Sequence, residues 1–242
     1  DFQLQAYYDR AERSDFALFQ GDVDTYDIEF KHAIPLGVHR VLWGGGYRHA
    51  RDDIPATLPA NPVFSLFVQF VPPARTLTWQ NIFLQDDIRL TDKLELTLGL
   101  KLESNDYTGW EKLPSARLAW KPEKNHLVWG AASRAVRAPA RLDREFFLLA
   151  VLPPLTPPPL TVIAGGPSFE SEVANVYEIG YRGQPATSFS WSVTGFHTRY
   201  HKLRSGQSPA PAFVENKIEG FSNGVEAWGT LHPTRTWRLS AG

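Results

Sequence analysis

The sequence predicts an all-β fold: an antiparallel up-and-down β-barrel of the transmembrane kind, with about eleven strands visible. Three observations carry that reading. Apolar residues recur at every second position over long stretches, the period of a strand with one apolar and one polar face. Tight polar turns join these stretches in pairs. The remaining links are long and ragged, so short and long connections alternate along the chain. Short turns on one rim and longer loops on the other are the pattern of outer-membrane barrels, whereas sandwiches mix their turn lengths.

Phe2, Leu4, Ala6 and Tyr8 alternate with Gln3, Gln5, Tyr7 and Asp9, giving a first strand. A polar loop is expected near 10–21. Tyr26, Ile28 and Phe30 then alternate with Asp27, Glu29 and Lys31, and a turn follows near 34–38. Val41, Trp43, Gly45 and Tyr47 form one face of the third strand. Its Gly44-Gly45-Gly46 run lacks the following Lys and Ser/Thr of a phosphate loop, so it predicts strand coiling or close backbone approach. A long proline-bearing connection is expected near 50–76, with the apolar run from Val63 to Val71 extending a strand inside it.

The clearest hairpin comes next. Ile82, Leu84, Ile88 and Leu90 lead to a turn at 91–93, and Leu94, Leu96, Leu98, Leu100 and Leu102 return with Glu95, Thr97, Gly99, Lys101 and Glu103 between them. The leucines should point away from the concave side of the sheet. Asp86 falls on the apolar side with Leu84 and Ile88, which a bulge or a position near lipid headgroups would relieve. After a short loop near 106–109, Ala116, Leu118 and Trp120 form a strand, 122–125 a turn, and Leu127, Trp129 and Ala131 the return. Trp120 and Trp129 are expected in an interfacial aromatic belt. From 137 to 171 the alternation is lost amid proline pairs, which predicts a long irregular loop. Val173, Tyr177, Ile179 and Tyr181 resume the pattern, a turn lies near 184–187, and Phe189, Trp191 and Val193 begin the next strand. A loop near 203–213, a strand through Gly224-Val225-Glu226, a turn at 232–234 and a final short strand complete the chain.

The 242 residues carry a formal net charge of -1, so no nucleic-acid partner is expected. No apolar run approaches the roughly 20 residues of a membrane helix, but a spanning strand needs only about 9–11, half of them polar. Eight Trp, eight Tyr and fifteen Phe could supply two interfacial belts. The absence of Cys excludes disulfides and thiolate metal sites, and the absence of Met leads us to expect a piece of a longer product. No catalytic set, nucleophile elbow or cofactor motif is present. His197 and His201 lie roughly 13 Å apart along one strand, too far to share a metal ion.

Several segments resemble the β-barrel of TonB-dependent outer-membrane receptors. They are Phe83-Leu84-Gln85-Asp86-Asp87, Leu98-Gly99-Leu100-Lys101-Leu102-Glu103, and Pro114-Ser115-Ala116-Arg117-Leu118-Ala119-Trp120. Ala132-Ser133-Arg134-Ala135-Val136-Arg137-Ala138-Pro139, the run Glu172–Arg182 and Gly224-Val225-Glu226 follow in the same order. The resemblance implies about half of a 22-stranded barrel, with the N-terminal plug, the TonB-contacting segment and the last strands outside this chain. It further implies residence in the outer-membrane lipid, and active uptake of a scarce chelate, such as an iron-siderophore or cobalamin, powered by the TonB complex through the absent plug segment. It implies no cofactor and no enzymatic activity.

Arg134, Arg137, Arg141 and Arg144 crowd the start of the longest loop, and Arg48 and Arg51 leave another strand on the same side. These six could draw an anionic chelate to the receptor mouth, or could pair with carboxylates, or be solvated. A soluble ligand-binding sandwich or propeller and an outer-membrane barrel hydrolase are the alternative classes. Dependence on detergent separates the first from a receptor, and activity on lipid or peptide separates the second.

Overall fold

Where the alternation runs, strands form, and they run further than the apolar pattern alone marks. The computed structural model describes residues 1–15, 19–56, 65–151, 160–206 and 210–242. Ten long strands follow one another as neighbours: β1 (Phe2–Asp15), β2 (Phe19–Leu36) and β3 (His39–Asp53), then β5 (Ala74–Thr91), β6 (Leu94–Asn105), β7 (Gly109–Trp120), β8 (His126–Arg137), β11 (Glu172–Ala186), β12 (Phe189–Gly206) and β13 (Ala212–Leu231). All these pairings are antiparallel, and the short β14 (Leu239–Ala241) adds to β13. These are the eleven strands that the sequence predicts. Three more lie inside the long connections: β4 (Ser65–Phe70), β9 (Phe146–Val151) and β10 (Leu160–Ala164).

Register fixes the two faces. Leu98 sits opposite Asp86 and Ala116, and Leu100 opposite Leu84 and Pro114. The row through Leu96 continues as Leu118, Gly130, Ile179, Gly195 and Val225. Ile82, Leu84, Leu98, Leu100, Leu118, Ile179 and Val225 all stand exposed, a broad apolar surface that water would penalise. The other face is hydrogen-bonded within itself. Thr97 and Gln85 donate to Asp87 Oδ1 at 2.8 and 3.1 Å, and Lys101 pairs with Glu103 at 2.7 Å. A cleft of about 340 Å³ opens on that side, lined in part by Gln3, Lys31, Phe83 and Lys101.

One awkward residue lies where the pattern puts it, and one does not. Asp86 remains on the apolar face, and the ladder passes it without a bulge: the irregularity in this hairpin falls between Arg89 and Thr91. Its relief is His39, whose Nδ1 lies 2.7 Å from Asp86 Oδ2 beside the tight turn at Gly37. Trp120 is exposed on the apolar face, but Trp129 is not in a belt with it. In β8 it is Val128, Gly130 and Ala132 that pair along the apolar rows, so Trp129 turns to the polar face, under Arg117 at 5.2 Å. The small residues Gly130, Ala131 and Ala132 had left the parity of this strand ambiguous.

The loops also contract. β1 and β2 remain in register to Asp15 and Phe19, leaving only 16–18 of the expected 10–21 loop outside the described residues. Both faces of this hairpin end are polar, and cross-strand contacts hold it: Tyr8 donates to Asp24 at 2.6 Å, and Arg10 approaches Asp22 and Asp24 at 3.7 and 3.6 Å. Such a strand carries no apolar alternation to read. β12 runs to Gly206 and β13 starts at Ala212, so the 203–213 loop shrinks in the same way, with 207–209 outside the described residues. The link between β6 and β7 is a three-residue turn, so short and long links do not alternate strictly. The tight turns of the other rim fall at 37–38, 92–93, 121–125 and 187–188, with a wider bend at 232–238.

Within the described part of the 137–171 segment a helical turn, α1 (Arg141–Arg144), precedes β9 and β10. β4, from the 50–76 connection, pairs antiparallel with β9, and β9 with β10. β10 then pairs parallel with β13 through Ile163 and Ala164. Apolar residues explain this cap: Phe67, Phe70, Leu149, Ala150 and Ala164 are buried in it. Pro59, Pro62, Pro153, Pro154 and Pro157 to Pro159 lie outside the described residues, so the prolines that suggested irregularity bracket the cap strands without interrupting them.

The glycine run in β3 serves close approach. Gly44 is opposite Phe83, and a Cβ there would run into the Phe83 ring and the Phe30 carbonyl. Around Gly220 the space is open. Gly44→Ala is therefore expected to cost about 1–3 kcal/mol through overpacking, and Gly220→Ala no more than about 0.5 kcal/mol. Equilibrium unfolding in urea compares the two, and equal effects would contradict the packing described.

Candidate functional site

The cap meets the sheet at a network of charged side chains, where the ends of β3, β4, β5, β8, β11 and β12 converge on α1. Arg141 is its centre and is only 6% exposed. Its Nε donates to Glu145 Oε2 at 2.8 Å, one helical turn on, and Nη1 donates to the Pro73 carbonyl at 3.1 Å. It also bonds Asp52 of β3 and the Pro72 carbonyl, and it lies over the Phe70 ring at 5.1 Å. One guanidinium thus ties α1 to β3, to the end of β4 and to the start of β5. A buried cation in this position is tolerated because each face and edge of it has a partner.

Asp143 is the second centre, 1% exposed. Its Oδ2 accepts the Ala140 amide and Arg137 Nη1, both at 2.9 Å, and so caps α1. Arg204 Nη1 of β12 stands 3.5 Å from its other oxygen. Arg137 also binds Glu172, whose second oxygen accepts the Arg204 amide at 2.6 Å. Arg75 reaches Glu145 at 2.5 Å. Tyr107, from the three-residue turn, has two guanidinium groups over its ring, Arg75 at 5.2 Å and Arg144 at 5.1 Å from the ring centre. Burial, reinforced by Glu145, raises the Tyr107 phenol well above its usual range. Burial, with Arg75 repelling, lowers Arg144, whose Nε donates to the Phe169 carbonyl at 2.8 Å.

The structure brings Arg137, Arg141 and Arg144 together in this network. Arg134 stands apart, 3.8 Å from Glu111. Arg48 donates to Asp27 at 2.8 Å and to the Tyr7 hydroxyl at 3.1 Å, on the polar face. Arg51 is exposed and has no ion pair among the described residues. Sequence reasoning missed the acids Asp52, Asp143, Glu145 and Glu172 as partners, and Tyr107 as the ring that Arg75 and Arg144 both approach. The Arg141/Glu145 spacing of four was the one helical-spacing signal; Asp143 lies in α1 itself, six residues after Arg137, and the other partners arrive from β3, β11 and the turn after β6. His197 and His201 bond Asn223 and Glu219 separately, as their spacing requires. Among the described residues no cluster of three or more His, Asp or Glu could hold a metal ion.

A large amphipathic antiparallel sheet crowned at one rim by folded-back connections has known relatives. The family described as TonB dependent receptor-like, beta-barrel matches residues 1–242.

The chain belongs to that family.

Among solved structures it is similar to the siderophore receptor PirA of Pseudomonas aeruginosa, with a TM-score of 0.74 and 16% identity over 92% of this chain and 42% of that one. The ferric enterobactin receptor of the same organism also gives 0.74, at 15% identity, over 99% of this chain and 39% of that one. The FrpB iron transporter of Neisseria meningitidis gives 0.65, at 15% identity, over 89% and 34%. The chain therefore spans about two fifths of the length of these structures, and at such identities the likeness concerns the fold. No curated protein matches it. TonB-dependent receptor barrels sit in the bacterial outer membrane and belong to transporters, not enzymes. The apolar face of the sheet is accordingly its lipid face, and the polar face lines the lumen.

Two outcomes follow from this geometry. Arg141→Ala removes the buried cation that Asp52 and Glu145 share, leaving Asp52 with the Arg75 amide and Glu145 with the Arg75 guanidinium, and should cost about 3–5 kcal/mol, whereas Arg51→Ala should stay within about 0.5 kcal/mol. Unfolding titrations of the two variants check this. In a bilayer, Leu98→Arg on the lipid face should cost about 2–4 kcal/mol near the midplane, and Thr97→Arg, facing the lumen beside Asp87, much less. Equal losses in lipid vesicles would reverse the assignment of faces.

Proposed function

We propose that this chain is the substrate-recognising part of a barrel that takes up a scarce chelated nutrient, of the iron-siderophore kind, with energy delivered by TonB through a segment outside these residues. The observation that carries the proposal is the concentration of arginines at the capped rim of an outer-membrane barrel wall. Iron chelates and similar carriers are commonly anionic, and a rim of guanidinium groups raises their local concentration. The names of the structural neighbours, a siderophore receptor, a ferric enterobactin receptor and an iron transporter, favour the same class.

The six arginines divide by role in this proposal. Arg51, exposed and unpaired among the described residues, stands at the rim on the outward row of β3 and attracts the ligand through its field. Arg48 lines its way inward on the polar face, and Arg134, near the rim on the outward row with Asn175, adds to the field; each has one carboxylate partner among the described residues. Arg137 and Arg144 offer their exposed edges, while Arg141 acts through the others by holding the cap in place.

The test is uptake of radiolabelled ferric enterobactin, as probe, by cells carrying the whole natural protein in place of their own iron receptors. Uptake should require TonB. Arg51→Glu should slow capture by roughly tenfold at low ionic strength, with the difference narrowing as salt screens the field. Uptake that persists without TonB, or an Arg51→Glu rate equal to wild type at low salt, would refute the proposal.

A further inference from the structure

The lipid face of β11 to β13 is not uniformly apolar. Ile179, Gly195 and Val225 lie side by side in one row. Ile179 and Val225 are 66% and 75% exposed, and Gly195 between them has no side chain, which leaves a groove of about 610 Å³ walled by Tyr177, Ile179 and Val225. At its upper end the next row is Tyr177, His197 and Asn223, and the row beyond pairs Arg199 with Phe221.

These polar residues are linked in a definite sense. His197 Nδ1 bonds the Asn223 side-chain oxygen, so that nitrogen carries the proton. Its Nε2 accepts from Arg199 Nε at 3.3 Å. The ring, stacked at 24° on Tyr177 and flanked by Phe221, is a fixed acceptor that orients the guanidinium. Arg199 has no ion pair among the described residues, and its two Nη groups remain free to donate. The acid nearby, Glu219, pairs with His201 at 3.6 Å. An oriented guanidinium without a carboxylate, on a face that otherwise meets hydrocarbon, calls for an anion supplied by the membrane.

Height selects the leaflet. Trp191 packs on Tyr181 at 4.8 Å and marks the lower aromatic level of the lipid face. Arg199 is eight positions further along β12. That is about 27 Å along the strand, and about 20 Å along the membrane normal at a tilt near 40°. The apolar band of such barrels is about 25 Å tall, so the Arg199 backbone stands about 5 Å below its upper edge, on the side of the long connections, and the long side chain reaches the upper headgroup level by extending upward.

We infer that this groove is a binding site for a phosphorylated, acylated lipid of the outer leaflet, with one acyl chain along Gly195 and a phosphate on Arg199. Guanidinium binds phosphate in a two-pronged fashion, and the row of Ile179 and Val225 continues the groove downward for the chain. The inference rests on the membrane placement of the barrel and is independent of the substrate proposed above.

The test uses the whole natural protein in phosphatidylcholine nanodiscs, with or without bisphosphorylated lipid A, and reads lipid retained on the protein by native mass spectrometry. Wild type should retain lipid A over phosphatidylcholine. Arg199→Gln should lower that retention by roughly tenfold, as one charge-assisted contact would. Gly195→Leu, which fills the groove at a position where an added Cβ meets only the Ile179 side chain at 3.9 Å, should lower it similarly without affecting folding. Inorganic phosphate should not compete. Retention by Arg199→Gln equal to wild type, no preference over phosphatidylcholine, or full competition by inorganic phosphate would each overturn the inference.

Discussion

Every part of this structure answers to one constraint: backbone N–H and C=O groups that face hydrocarbon must be paired within the protein. A strand meets that demand only through its neighbours, so ten long strands accept one another in chain order with scarcely an irregularity. Once the ladders are set, the period of two assigns each side chain to lipid or lumen, and nothing further has to specify the faces. The exceptions are compensated locally. Asp86, on the wrong face, finds His39 one diagonal away, and Gly44 yields its space to Phe83.

Above the membrane the constraint changes, because water can satisfy loose backbone. There the cap is held by charge. Arg141 and Asp143 are buried deeply enough that losing any partner is costly, and their partners come from both long connections and from the wall. Removing one member of such a network costs more than the whole network contributes to net stability, because a buried charge then loses its partner. Its position over the lumen lets exposed cations project from a base that does not drift.

The wall was legible in the sequence because its signal is local and repeated: five leucines at alternate positions can be read without knowing what they touch. Its errors fall where that signal fades. At the top of β1 and β2 both faces are wet, and in β8 Gly130, Ala131 and Ala132 gave Trp129 the wrong parity. The cap was not legible, because its strands are short and its partners distant: Phe67 meets Leu149, and Arg141 meets Asp52. The arginines were visible as a group, but whether each faces an acid or the solvent depends on residues up to 89 positions away.

The parallel contact between β10 and β13 has a bearing on how the chain is assembled. β4 leaves the sheet early in the sequence but, among the described residues, pairs with β9 alone, β9 pairs with β10, and β10 is anchored on the last long strand. The cap is therefore the most non-local part of the molecule, and loop-closure entropy delays it until the wall from β3 to β13 exists. Its completion reports on the whole: without β13 in place, β10, β9 and β4 lack the strand that anchors them, and their edges stay open.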